Sequence, residues 1–102
     1  MTYWQQGDLL IKAVSKIPSE AKKTKALVLI EGEHSGHAHR IQERNKKAVL
    51  LILGAVMYLR AYQDTPIEHE EHNTIILPPG DYKIDRVREY DHFLEEVRAV
   101  AD

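Results

Sequence analysis

Six histidines stand at positions 34, 37, 39, 69, 72 and 92, and five of them fall in two short polar windows. The windows are Gly36-His37-Ala38-His39-Arg40, with His34 just before it, and His69-Glu70-Glu71-His72. An imidazole titrates near neutrality, so it can give or take a proton or ligate a metal at physiological pH. A lone histidine is usually a surface residue or a satisfied core residue. Two clusters in one small domain resist that reading, because each buried imidazole needs its own partner. The clustering points to one polar active or binding site drawn from both windows.

Spacing narrows the chemistry. His37 and His39 are two apart, so in extended backbone they share a face, which suits two ligands of one metal or two groups around one phosphate. Arg40 then faces the other way. His69 and His72 share a face only in a helix; in a strand His72 pairs with Glu70. The run lacks the zinc-protease spacing, in which the second histidine follows the first by four. Gly32-Glu33-His34-Ser35-Gly36 places its serine one position too late for a nucleophile elbow, so Ser35 reads as a turn residue.

Two mechanisms use this set. In the first, His37, His39, His69 and His72 share acid and base roles. One imidazole takes a proton from a ribose 2′-hydroxyl while another protonates the leaving oxygen. His34, Arg40, Tyr82, Arg86, Arg88 and Tyr90 bind the substrate, since the guanidinium fork matches phosphate. This mechanism requires no cofactor. In the second, a divalent metal is held by His37, His39, Glu43 and His69, with one position open for water or substrate. A non-catalytic nucleotide-binding or inhibitor module is a third use of the same residues.

The elements that must position these residues read as strands. Asp8 to Val14 is a short apolar run, and 26–32 is rich in branched residues and ends at glycine. Between them 19–25 is a charged connection with room for one helical turn capped by Ser19. Residues 48–53 and 55–62 read as a hairpin turning near Gly54, with a single buried helix as the competing pattern. Short strands follow at 65–69 and 73–77, the second closed by Pro78-Pro79-Gly80. From 82 to 90 the sequence alternates, with Tyr82, Ile84, Arg86, Arg88 and Tyr90 on one face, a mixture that does not read as a plain core face. Phe93 to Val100 reads as a last strand or a short helix. Many short strands between turn signals predict an all-β, mainly antiparallel domain, a small barrel or sandwich.

Composition bounds the rest. With 102 residues the chain is expected to be one domain, 1–102, burying roughly 65% of its unfolded surface. A net charge of −2 argues against a general nucleic-acid coating protein, which needs a basic excess. The absence of cysteine removes disulfides, thiolate metal sites and a cysteine nucleophile. No segment approaches the about 20 apolar residues of a membrane span, and the start reads as no signal peptide, so a cytoplasmic protein without a membrane partner is expected. Branched apolar strands with an edge to cover predict a homodimer.

Two resemblances add to this reading. Gly36-His37-Ala38-His39 with Glu43 resembles the first metal motif of cupins, a His-x-His followed by glutamate. Leu77-Pro78-Pro79-Gly80 is similar to the Pro-x-Gly turn of the second motif, although His69 and His72 precede that turn where the cupin histidine follows it. This resemblance implies a cupin-like barrel and the metal set above. The chain as a whole resembles a family of small phage and bacterial proteins. The resemblance runs through Gln6-Gly7-Asp8, Gly32-Glu33, Gly36-His37-Ala38-His39-Arg40-Ile41 and His69-Glu70-Glu71-His72. It continues in Thr74-Ile75, Leu77-Pro78-Pro79-Gly80-Asp81-Tyr82 and Arg88-Glu89-Tyr90, and closes on Val100-Ala101-Asp102. Small phage and CRISPR-linked proteins of this size include ring nucleases, which cleave cyclic oligoadenylate signals in antiviral defence. By that analogy the expected activity is a histidine-based phosphodiesterase or nuclease, with RNA or a cyclic oligonucleotide as partner.

Overall fold

The computed structural model describes residues 2–31, 37–41 and 47–87. Ten strands run through them: β1 (Tyr3–Gln6), β2 (Leu9–Val14), β3 (Lys22–Lys23), β4 (Val28–Glu31), β5 (Ala38–Ile41), β6 (Ala48–Leu53), β7 (Val56–Ala61), β8 (Thr65–Glu68), β9 (Ile75–Leu77) and β10 (Gly80–Arg86). They form a six-stranded sheet in the order β1-β2-β10-β7-β6-β3 and a four-stranded sheet in the order β4-β5-β8-β9. Every pairing is antiparallel. The expected all-β antiparallel fold is therefore present. It is sandwich-like: the sheets do not close on each other, which corrects the cupin-like barrel.

The core lies between the sheets. Leu9, Ile11, Leu50, Leu59, Tyr82 and Ile84 from the six-stranded sheet meet Leu29, Ile41, Ile67, Ile75 and Leu77 from the four-stranded one. Strand alternation puts Val49 and Leu51 on the opposite face of β6, where Ile17 covers them. Residues 48–51 are apolar without interruption because both of their faces are buried. Ile17 belongs to the connection between β2 and β3. In that connection 19–20 form a turn rather than a helical one, and Lys22–Lys23 pairs with β6.

Two hairpins have the same chemistry. In each, two residues separate the paired strand ends, Gln6 opposite Leu9 and Leu53 opposite Val56. Gly7 and Gly54 have φ of 58° and 61°, and no other residue in either turn has positive φ. Positive φ confined to the first central position is the II′ pattern, which matches the twist of the flanking strands. The sequence reading finds the second turn at Gly54 but passes over β1, whose Tyr-Trp-Gln-Gln carries little apolar signal. β5 is likewise short and polar, and it is held by β4 on one side and β8 on the other. A register shift between Val28 and Ile30 leaves an extra residue in β4 opposite His39 and Arg40. Bulges of this kind re-aim neighbouring side chains.

Candidate functional site

Four elements converge on His39. It lies on β5 and is fully buried, a rare environment for an imidazole. Its Nδ1 lies 2.7 Å from Gln6 Oε1 at the end of β1, and its Nε2 lies 3.0 Å from Asp8 Oδ1 in the β1–β2 turn. The rings of His69 and His72, from the loop between β8 and β9, pack beside it with centroids at 4.4 and 6.1 Å. Arg86, at the end of β10, reaches the other oxygen of Asp8 at 3.4 Å. His37 stands next to His69 with ring centroids 5.7 Å apart and edge-on, and His69 and His72 are 4.6 Å apart. The two histidine windows therefore meet. His37 and His39 both reach His69, as extended backbone predicts, while Arg40 turns away and pairs with Glu70 at 2.8 Å.

Hydrogen bonds assign several protons. The Gln6 amide donates through Nε2 to Ile67 O at 2.9 Å and Asn73 O at 2.8 Å. Carbonyl oxygens only accept, so Gln6 Oε1 must face His39, and the Nδ1 of His39 carries the proton it accepts. Nε2 faces Asp8 Oδ1 and donates to it only when the ring takes up its second proton. Burial pushes the His39 imidazolium below its ordinary value. The hydrogen bond from Asp8 resists, and the charges of His69 and His72 add to the lowering. His69 is the complement of His39: the backbone N–H of Glu71 donates to its Nδ1 at 3.0 Å, which leaves its proton on Nε2. His37 places Nδ1 2.5 Å from Glu71 Oε1, so that nitrogen carries a proton and Nε2 is the accepting pole.

Glu70 holds the second window to the first. Its Oε1 accepts from the Ala38 backbone at 2.9 Å while Oε2 pairs with Arg40. The Ala38 hydrogen bond, with smaller help from its own backbone N–H, Arg40 and His69, holds its carboxyl below the usual range. Beside it lies an open depression of about 270 Å³ lined by Arg40, Glu68, His69, Glu70 and Thr74. The Arg40 Nε–H is buried and has no hydrogen-bond partner among the described residues.

Other expected site residues fall elsewhere. Tyr82 is buried, donates to Pro78 O at 2.6 Å and packs edge-on against Trp4 at 5.5 Å. Burial pushes its phenol up, with a smaller push from Asp81, so it is a core residue and not a substrate contact. The face it shares with Ile84 is core after all, and Arg86 emerges where that face reaches the sheet end. Arg86 buttresses Asp8. His34, Glu43, Arg88 and Tyr90, together with Ser35, His92 and the expected last element at 93–100, lie outside the described residues. Of the expected metal set, Glu43 lies outside the described residues and both nitrogens of His39 face protein groups. Among the described residues no group of three or more His, Asp or Glu side chains is arranged to hold an ion. The described residues also include no helix long and apolar enough to cross a membrane. Sequence reasoning missed Gln6 and Asp8 as site residues. The available signal was a polar Gln-Gly-Asp turn joining two strands.

Fold and site together define a small two-sheet antiparallel β-protein whose buried histidine organises an imidazole cluster. The chain belongs to the family described as "Domain of unknown function (DUF8820)", whose model matches residues 5–87. That span contains every described residue of the cluster. No curated protein and no solved structure matches the chain.

Two outcomes test this geometry. A Cβ on Gly7 would overlap the His72 ring, whereas one on Gly54 meets nothing, and both glycines have positive φ. Gly7→Ala and Gly54→Ala should each lose about 1–2 kcal/mol in urea unfolding. Only Gly7→Ala should move the His72 ring resonances; equal effects of both variants on His72 would contradict the packing. The second outcome follows from burial of His39. Its folded form takes up a proton at lower pH than the unfolded chain does, so its contribution to stability is complete above 6.5. That contribution is lost as pH falls from there through the folded value. Urea midpoints should hold steady between pH 8 and 7 and decline towards pH 5, with the decline flattened in His39→Gln. A flat wild-type profile over that range would contradict the burial argument.

Proposed function

We propose that the protein is a histidine-based phosphodiesterase that cleaves RNA or a cyclic oligonucleotide at a ribose 2′-hydroxyl. The observation that carries this reading is the row His37–His69–His72, with ring centroids 5.7 and 4.6 Å apart and proton positions that differ along it. His37, held by Glu71 through Nδ1, offers Nε2 as the base that takes the hydroxyl proton. His69 offers an N–H, which stabilises charge developing on a non-bridging phosphoryl oxygen. The leaving oxygen takes its proton from His72, on the far side of His69. The bond from phosphorus to the 2′-oxygen forms as the bond to the 5′-oxygen breaks. The proton removed at His37 is matched by the one delivered at His72. His39, with both nitrogens engaged, is a positioning residue in this scheme rather than an acid or base.

Arg40 is the phosphate contact. It lines the depression beside His69 with a partly exposed guanidinium. Glu68 and Glu70 line the same depression, and both arginines near the cluster face carboxylates. This balance of charge favours one phosphodiester at a time over a polyanionic track. The reading includes a cytoplasmic homodimer. β1 and β3 end one sheet and β4 and β9 the other, and Ile76 on β9 is 53% exposed, so an edge is available for a second copy.

Incubation of the purified protein with RNA oligonucleotides and cyclic oligoadenylates, with and without EDTA, tests the activity. Cleavage should survive EDTA and fall by about 10²-fold or more in His37→Ala, His69→Ala and His72→Ala. Stoichiometric bound metal without phosphodiesterase activity would sink the reading. Light scattering at micromolar concentration should give twice the monomer mass, and a monomer would remove the dimer from it.

A further inference from the structure

We infer that Gln6 is the positioning residue of the site, setting the tautomer of His39 and clamping the loop that carries His69 and His72. Two observations support this independently. First, the amide nitrogen of Gln6 donates to Ile67 O and Asn73 O, which flank that loop on its two sides. One side chain therefore pins both ends of the segment 68–72 to the end of β1. Second, using both amide protons on carbonyls leaves only Oε1 for His39, at 2.7 Å. The imidazole must answer with Nδ1–H and turn Nε2 to Asp8. Gln6 is fully buried, so no water can substitute for it without the packing opening.

The consequence reaches the reactive row through contact. His39 packs at 4.4 Å from the His69 ring, the middle member of the row, and at 6.1 Å from His72 with the planes only 12° apart. A flip of the Gln6 amide would set oxygen against both carbonyls and N–H against N–H, and a flip of the His39 ring would put C–H groups where its nitrogens meet Gln6 and Asp8. Gln6, fixed by two carbonyls inside the core, decides which nitrogen of the neutral ring keeps its proton, while Asp8, partly exposed and paired with Arg86, receives Nε2–H only from the charged ring. Glutamate at position 6 would present oxygen to both carbonyls, and methionine would keep the volume but lose every hydrogen bond.

Long-range ¹H–¹⁵N correlation of the histidine rings at pH 7.5 tests the inference directly on the unmodified protein. Neutral His39 should carry its proton on Nδ1; a neutral ring protonated on Nε2 overturns the proposal. In Gln6→Met, His39 should switch to the Nε2–H form, donated to Asp8. Amide exchange at 69–72 should accelerate, and kcat should fall by about 10²-fold through misplacement of the row. A folded Gln6→Met protein with the same tautomer, exchange and kcat overturns it equally. If Gln6→Met does not fold, the wild-type tautomer decides alone. Only the kinetic part rests on the phosphodiesterase reading: absence of cleavage by the wild type would strike that reading and leave the tautomer result standing.

Discussion

A fully buried imidazole with a polar partner at each nitrogen is the constraint on which this structure turns. Burying a polar group without a hydrogen bond costs about 1–3 kcal/mol, a sizeable share of the stability of a small domain. His39 therefore obliges the chain to bring a polar partner to each nitrogen. Gln6 comes from the end of β1 and Asp8 from the turn after it, so a two-residue II′ hairpin supplies both partners at once. Gly7, between them, meets two demands: it provides the positive φ of the turn and leaves room for the His72 ring.

From that centre the site assembles by secondary ties. Gln6 holds both ends of the second histidine window, Glu70 fastens the same window to β5 and to Arg40, and Arg86 supports Asp8 from β10. Each tie joins elements distant in sequence, yet the six-stranded sheet sets β1, β2 and β10 side by side. The hydrophobic core between the sheets fixes where these strands lie. The polar network fixes how their ends are oriented. An interior of this kind is expensive unless its members are satisfied.

Much of the fold was legible in the sequence wherever one physical signal dominated. The branched runs at β2, β4 and β6, the glycine of the β6–β7 turn and the alternation of β10 all marked strands. β1 and β5 were not legible as strands, because their residues are largely polar and their pairing is settled by neighbours rather than by propensity. The site was half legible. Clustered histidines announced it, and spacing put His37 and His39 on one side. Spacing could not place His69 and His72, which meet His39 from an irregular loop and not from a helix or strand face. Tyr82 was misassigned because a phenol on an alternating strand looks like a ligand contact until a carbonyl, here that of Pro78, is found to satisfy it inside the core.

Division of labour within the cluster is the central claim: His39 is buried to position, while His37, His69 and His72 form a row that moves protons around a phosphodiester. Such a row uses the substrate's own 2′-hydroxyl as nucleophile, and this leaves a chemical record in the products. Mass spectrometry of the ends left on a cleaved RNA or cyclic oligoadenylate reads it most directly. The account predicts 2′,3′-cyclic phosphate and 5′-hydroxyl ends, with no cleavage when the ribose at the scissile position is 2′-deoxy. Ends bearing 5′-phosphate and 3′-hydroxyl, or cleavage of the deoxy substrate, would contradict it.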